Sequence, residues 1–219
     1  CLLMYLTMRN FVLYDNINTL LETLKIFEKQ YKYGNPKEFE GCIDSVNIKS
    51  MNEEECVLTY NWGDSFQQDV IRGKLGIAKA PGSKKVLDRQ TGKLVPCDKE
   101  RCPHATYYDD IGFVNHAPYA AFGGWSGAVS ANIPPEKQTL AMEFLAFTAS
   151  KEESRKSVIS AAGSRGNDPF RKSHMDVDAF VAAGFDEATT KAYLASIGES
   201  LSSPNLVTDI RFPEASKIH

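Results

Sequence analysis

Gly123-Gly-Trp-Ser-Gly-Ala-Val-Ser-Ala-Asn132, followed by Pro134-Pro-Glu-Lys-Gln-Thr-Leu-Ala-Met-Glu-Phe-Leu-Ala-Phe147, is the stretch on which the reading of the fold turns. Gly127–Ala131 reads as a short strand. Pro134-Pro135-Glu136 opens a helix, since proline at a first helical position gives up an N–H that has no intrahelical partner anyway. Leu140, Ala141, Phe144, Leu145 and Thr148 then recur on one helical stripe. A strand that runs directly into an amphipathic helix is the unit of an α/β chain.

Working outward, the same grammar continues. Ser150 with Glu153 forms a capping box for a helix that closes before Gly163. Asp176 begins a short helix, and Asp186 begins a longer one that ends near Gly198. The tail from Leu201 to His219 reads as irregular. Upstream, Leu20, Leu21, Leu24, Phe27 and Tyr31 keep helical spacing behind a capping Asn18, and Gly34-Asn35-Pro36 stops the pattern. Two β-like runs follow, Cys56–Tyr60 and Lys74–Lys79, the second ending at Pro81-Gly82. Residues 81–118 are rich in Gly, Pro, Lys and Asp and read as a long excursion or lid, clamped by cross-links.

The 219 residues are 42% hydrophobic, enough to bury one sizeable core or two small ones. A net charge of -3, from 25 basic and 28 acidic side chains, argues against a nucleic-acid partner, which needs Lys and Arg concentrated on one face. The pairs Lys84-Lys85 and Arg171-Lys172, and the acidic run Glu53–Glu55, read as solvated surface. No apolar run approaches the roughly 20 residues of a membrane helix. Because the chain opens on Cys1 rather than Met, a fragment or a processed product is expected.

Five cysteines carry more information. Cys97 and Cys102 flank a short polar loop that closes as a disulfide if it turns back on itself; Cys42 and Cys56 are candidates for a second bridge. Cys1 is the odd one. Such usage fits a secreted, periplasmic or lumenal compartment better than a reducing cytosol. The competing reading is zinc, with Cys97, Cys102 and His104 close in sequence, but a fourth ligand and the usual knuckle spacing are absent. The disulfide is preferred, and neither a metal nor a cofactor is expected.

Signatures of catalysis are missing: no phosphate-cradling loop, no dinucleotide glycine fingerprint, no zinc-protease helix. Ser126 lies between glycines, yet its G-x-S-G spacing lacks the glycine and the following helix of a nucleophile elbow. His104, His116, His174 and His219 are scattered and read as surface or packing side chains. Cys56 follows three glutamates, which would raise a thiol pKa and blunt its reactivity. The chain is therefore not expected to be an enzyme.

Aromatic and glycine clusters point instead to binding. Asn61-Trp62-Gly63-Asp64 follows a strand-like run, the place where open α/β sheets put their ligands. Trp62 is suited to stack on the apolar face of a sugar, and Asn61 and Asp64 to bond its hydroxyls. A core tryptophan beside a turn is the alternative. Gly124, Trp125 and Ser126 form a second candidate patch, its glycines also candidate hinge points. Arg165, between Gly163 and Gly166, has the fork to hold a hydroxyl pair or a carboxylate, against a plain solvated charge.

In this order, the segments resemble the second half of a family-one extracellular solute-binding protein, the maltose-binding-protein-like receptors of ABC importers. The Gly123–Phe147 block carries the resemblance best. Asn61–Asp64, Gly76–Gly82, the loop Gly163-Ser-Arg-Gly-Asn-Asp-Pro-Phe170 and Ser203-Pro-Asn205 support it over roughly residues 15–215. The resemblance implies a periplasmic-binding-protein-like (Venus flytrap) α/β fold, here its C-terminal half with crossover and hinge segments. Residues 1–219 would form one region contributing to both lobes, with the first half of the protein missing or supplied by a partner chain. It also implies closure on a small solute, a sugar or oligosaccharide, for a membrane importer or as a receptor's sensor. Two departures stand out, the short length and the cysteine pair. A module that kept the fold and lost the ligand is the competing class, with an enzyme on this fold behind it.

Overall fold

Asp88 decides the shape of the segment that looked like a long loop. Its carboxylate accepts the backbone N–H of Gln90 at 2.9 Å and the Thr91 hydroxyl at 2.9 Å, which turns the chain. Gly92 closes the turn at φ 67°, a region open to glycine and costly for other residues. Strands β1 (Lys85–Asp88) and β2 (Lys93–Pro96) therefore pair antiparallel, with Val86 opposite Val95 and Leu87 opposite Leu94. A second hairpin, β3 (Thr106–Tyr108) and β4 (Gly112–Val114), turns at Gly112 with φ 79°. The expected excursion over 81–118 is thus two hairpins rather than a lid.

These elements belong to a computed structural model that describes residues 17–34, 57–58, 63, 74–119, 126–160 and 167–207. The chain divides into two compact units. The first takes Cys1–Asn61, Ala80–Tyr119 and Ser203–His219; the second takes Trp62–Lys79 and Ala120–Ser202.

In the first unit, helix α1 (Ile17–Tyr33) packs against β2. The expected cap is corrected here: Asn18 lies inside the helix, and its Nδ2 donates to the Gly92 carbonyl at 3.2 Å. Gly34 ends the helix as expected, its N–H bonded to the Gln30 carbonyl at 2.7 Å. Cys97 and Cys102 are joined in a disulfide with Cα atoms 5.7 Å apart, linking the end of one hairpin to the start of the next. With Val114 they are the buried apolar residues of this unit among those described. Below them, Ser83 and Asn115 exchange two backbone hydrogen bonds, at 3.0 and 2.9 Å. His116 Nδ1 donates to the Ala80 carbonyl at 3.0 Å, which leaves Nε2 to accept the Tyr108 hydroxyl at 3.1 Å. Asn205 ties the late segment to this layer through Asn115 Oδ1 at 2.7 Å.

The regular structure described in the second unit is helical. Helix α2 (Pro135–Thr148) starts on proline as expected. Ser150 caps α3 (Lys151–Val158) by accepting the Glu153 N–H at 3.2 Å. After a single 3-10 turn at Lys172–His174, Asp176 caps α4 (Val177–Ala182) and Asp186 caps α5 (Glu187–Leu201). Gly184 at φ 95° makes the turn between the last two. Val158, Phe180, Phe185, Tyr193 and Leu194 form the core, and the rings of Phe180 and Phe185 meet edge to face at 5.4 Å.

Three strand expectations meet the structure differently. Lys74–Lys79 joins no strand ladder among the described residues, yet its alternate residues Leu75 and Ile77 pack on the α4–α5 core. Of the expected Gly127–Ala131 strand, residues 127–130 are irregular and Ala131 lies in a turn, and Gly127 instead lets the backbone approach Leu145, where an added Cβ would lie 2.6 Å from Cδ2. Of Cys56–Tyr60, only Val57 and Leu58 are described, exposed and outside any ladder. The α2 stripe is also not a core face among the described residues: Leu140 and Phe144 are 63% and 65% exposed.

Candidate functional site

Helix α5 begins at the Asp186 cap and carries Tyr193 into the core, so the Tyr193 ring is fixed by Phe180 on α4, with centroids 6.5 Å apart. Its hydroxyl emerges at the core's edge and donates to Asp168 Oδ1 at 3.1 Å. Asp168 belongs to a short segment held at three further points. Asn167 Nδ2 donates to Ser157 Oγ at 2.6 Å, Pro169 is buried, and the Phe170 ring meets His174 edge-on at 4.6 Å. A side chain anchored through buried neighbours keeps one rotamer at little further entropic cost.

The other face of the Asp168 carboxylate is pressed against Gly63. A Cβ added at Gly63 would overlap Asp168 Oδ1 and lie 3.2 Å from its Cγ, so a side chain there would have to push this carboxylate aside. Asp168 is exposed as a residue, but this end of it is desolvated, and the loss of water raises its pKa above the usual carboxylate value. The bond from Tyr193 acts in the opposite, weaker sense.

Gly63 is bonded to Trp62 and Asp64, and Asp168 lies three residues past Arg165. The structure thus brings a residue of the Asn61–Asp64 run against a residue of the Gly163–Phe170 loop, within the second unit. Asn61, Trp62, Asp64, Gly124, Trp125, Arg165, Cys42 and Cys56 themselves lie outside the described residues. Ser126 is described and exposed, and the next helix starts only at Pro135, so no nucleophile elbow forms around it. Asp168 and Tyr193 escaped the sequence reading, although Asp168 lies inside a loop that reading had quoted.

Cys97 and Cys102 spend their thiols on each other, which removes the ligands of the zinc alternative. Among the described residues no group of His, Cys, Asp and Glu could hold a metal ion. No described helix is long and apolar enough to cross a membrane. Two shallow depressions open on the second unit, one over Gln138, Met142 and Ala146 of α2, the other over Glu152, Arg155 and Ala179; neither contains a candidate residue.

Comparison with protein-family models, curated proteins and solved structures finds no match to this chain.

Proposed function

We propose that this chain is an extracytoplasmic binding module for a small polar solute, a sugar or oligosaccharide, serving a membrane importer or a receptor. The observation that carries the reading is the packing of Gly63 against Asp168, which joins two of the three runs that sequence singled out as ligand-binding. Connectivity adds support. The chain passes between its units at 61–62, 79–80, 119–120 and 202–203, the repeated crossing that a two-lobe receptor built from discontinuous segments requires. The Cys97–Cys102 disulfide favours a compartment outside the reducing cytosol.

Titration calorimetry and thermal-shift screening against mono- and oligosaccharides, amino acids and polyamines test this. Trp62 and Trp125 are the only tryptophans of the chain, so intrinsic fluorescence should report saturable sugar binding. Trp62→Ala should weaken that binding about tenfold or more while leaving Tm nearly unchanged. A buried core tryptophan would behave oppositely, costing about 3–5 kcal/mol of stability with binding intact. A ligand-free interaction module is the second reading, favoured by the apolar side chains that α2 exposes at Leu140, Met142, Phe144 and Phe147.

A further inference from the structure

We propose that Asp168 is a ligand-reading carboxylate of this site, held in register by Tyr193, and that it selects a polyhydroxylated ligand by accepting a ligand hydroxyl on Oδ2. The proposal deepens the sugar-binding reading and rests on it. Three observations place Asp168 there. Its Oδ1 is committed to the Tyr193 hydroxyl at 3.1 Å, and Tyr193 is only 2% exposed, so the carboxylate is mounted on the core rather than on a mobile loop. Its flank is closed by Gly63, where even a methyl group would collide with it. Oδ2 has no hydrogen-bond partner among the described residues, and Asp168 as a residue is exposed.

An anchored acceptor of this kind is how a binding site gains specificity. One oxygen fixes the geometry, the other is offered to the ligand, and no reorganisation is needed when the ligand arrives. A ligand hydroxyl donating to a carboxylate makes a charge-assisted bond, stronger than one between neutral partners. Tyr193 is accordingly a positioning residue: it acts through Asp168 and need not meet the ligand. The raised pKa of Asp168 adds a signature. The acceptor weakens when the carboxyl is protonated, so affinity should fall as pH drops, from a point above the ordinary Asp pKa.

The test uses the full chain, with calorimetry against a panel of neutral mono- and oligosaccharides, amino acids and polyamines. Asp168→Ala should weaken sugar binding about tenfold or more, and Asp168→Asn should remove the fall in affinity at low pH. Tyr193→Phe should give a smaller loss and shift the pH profile, with the core ring retained. A sugar bound equally well by wild type and Asp168→Ala overturns the role of Asp168 while leaving the sugar reading in place. Binding of a polyamine alone, lost in Asp168→Ala, keeps the carboxylate and overturns its selection of hydroxyls. Binding of no panel member overturns both.

Discussion

His174 Nε2 lies 3.2 Å from Ser154 Oγ, and both side chains are sealed from solvent, at 0% and 2% exposure. The sequence places these residues twenty positions apart and gives no hint of the pair. Catalysis does not follow from it, because a nucleophile that no substrate can reach does nothing. The assignment that satisfies every donor has Nε2–H donating to Ser154 Oγ, whose own proton goes to the Lys151 carbonyl at 3.5 Å. Nδ1 then remains an acceptor with no partner among the described residues. His174 is the packing histidine that sequence suggested.

That environment makes stability depend on pH. Burial lowers the His174 pKa below 6.5, and the Arg171 and Arg155 guanidiniums lower it further. The unfolded chain therefore takes up a proton at higher pH than the folded one. The contribution is fully present above about pH 6.5 and is lost as pH falls toward the lowered native value. Melting curves of wild type should shift down between about pH 7.5 and pH 5, with a shallower slope in His174→Asn. Equal slopes for the two proteins would contradict this account.

The cross-link gives a second expectation. Cys97 and Cys102 should resist alkylation in native protein and appear as a linked peptide on non-reducing mass spectrometry. Closing so short a loop stabilises by about 2 kcal/mol in the chain-entropy treatment. Cys97→Ala with Cys102→Ala should lower the stability of the first unit by about that amount and leave the second unit unaffected, as hydrogen exchange would resolve. Rapid alkylation of both thiols without reductant would count against the bond.

Three helix starts of the second unit were legible because their determinants are local, whereas Asn18 proved to lie inside its helix. Ser150, Asp176 and Asp186 each accept an N–H three residues on, so residue type and spacing suffice. Partnership across the chain was not. Lys74–Lys79 reads as β-like, and Leu75 and Ile77 do pack on the core, but nothing in six residues says whether a neighbouring strand exists. The hairpins were missed for a related reason. Their strands are three or four residues long, and a composition rich in Lys, Asp and Gly concealed the Asp88 and Gly92 turn that creates the first one. At the site, Arg165 drew attention by its charge, while Asp168 is defined by a tyrosine 25 residues away.

Capping offers a direct check on the helical unit. Asp186 accepts the Thr189 N–H at 2.8 Å and its hydroxyl at 2.7 Å, and these bonds hold its pKa below the usual value. Asp186→Ala should cost about 1 kcal/mol in denaturant unfolding, and Asp186→Asn much less, since Asn also caps. Similar losses for both variants would mean that charge, rather than the cap, matters at this position.

Two glycines separate close packing from mere flexibility. At Gly82, an added Cβ would lie 2.7 Å from the Asn115 carbonyl oxygen and 2.6 Å from Val114 Cγ1. The Asn115 carbonyl is fixed, because it accepts the Ser83 N–H at 3.0 Å and is one half of the double bond pair between those residues. Gly82→Ala must therefore displace backbone beneath the second hairpin, and a loss of about 1–3 kcal/mol is expected. At Gly76, by contrast, no atom of the described residues lies within 4 Å of an added Cβ, and the residue is exposed. Gly76→Ala should change stability by no more than about 0.5 kcal/mol. Since both substitutions remove the same backbone freedom from the unfolded chain, their difference isolates the contacts with Asn115 and Val114. Chemical denaturation of the two variants side by side measures it. Equal stabilities would mean that Gly82 tolerates a side chain and that its approach to Asn115 is loose.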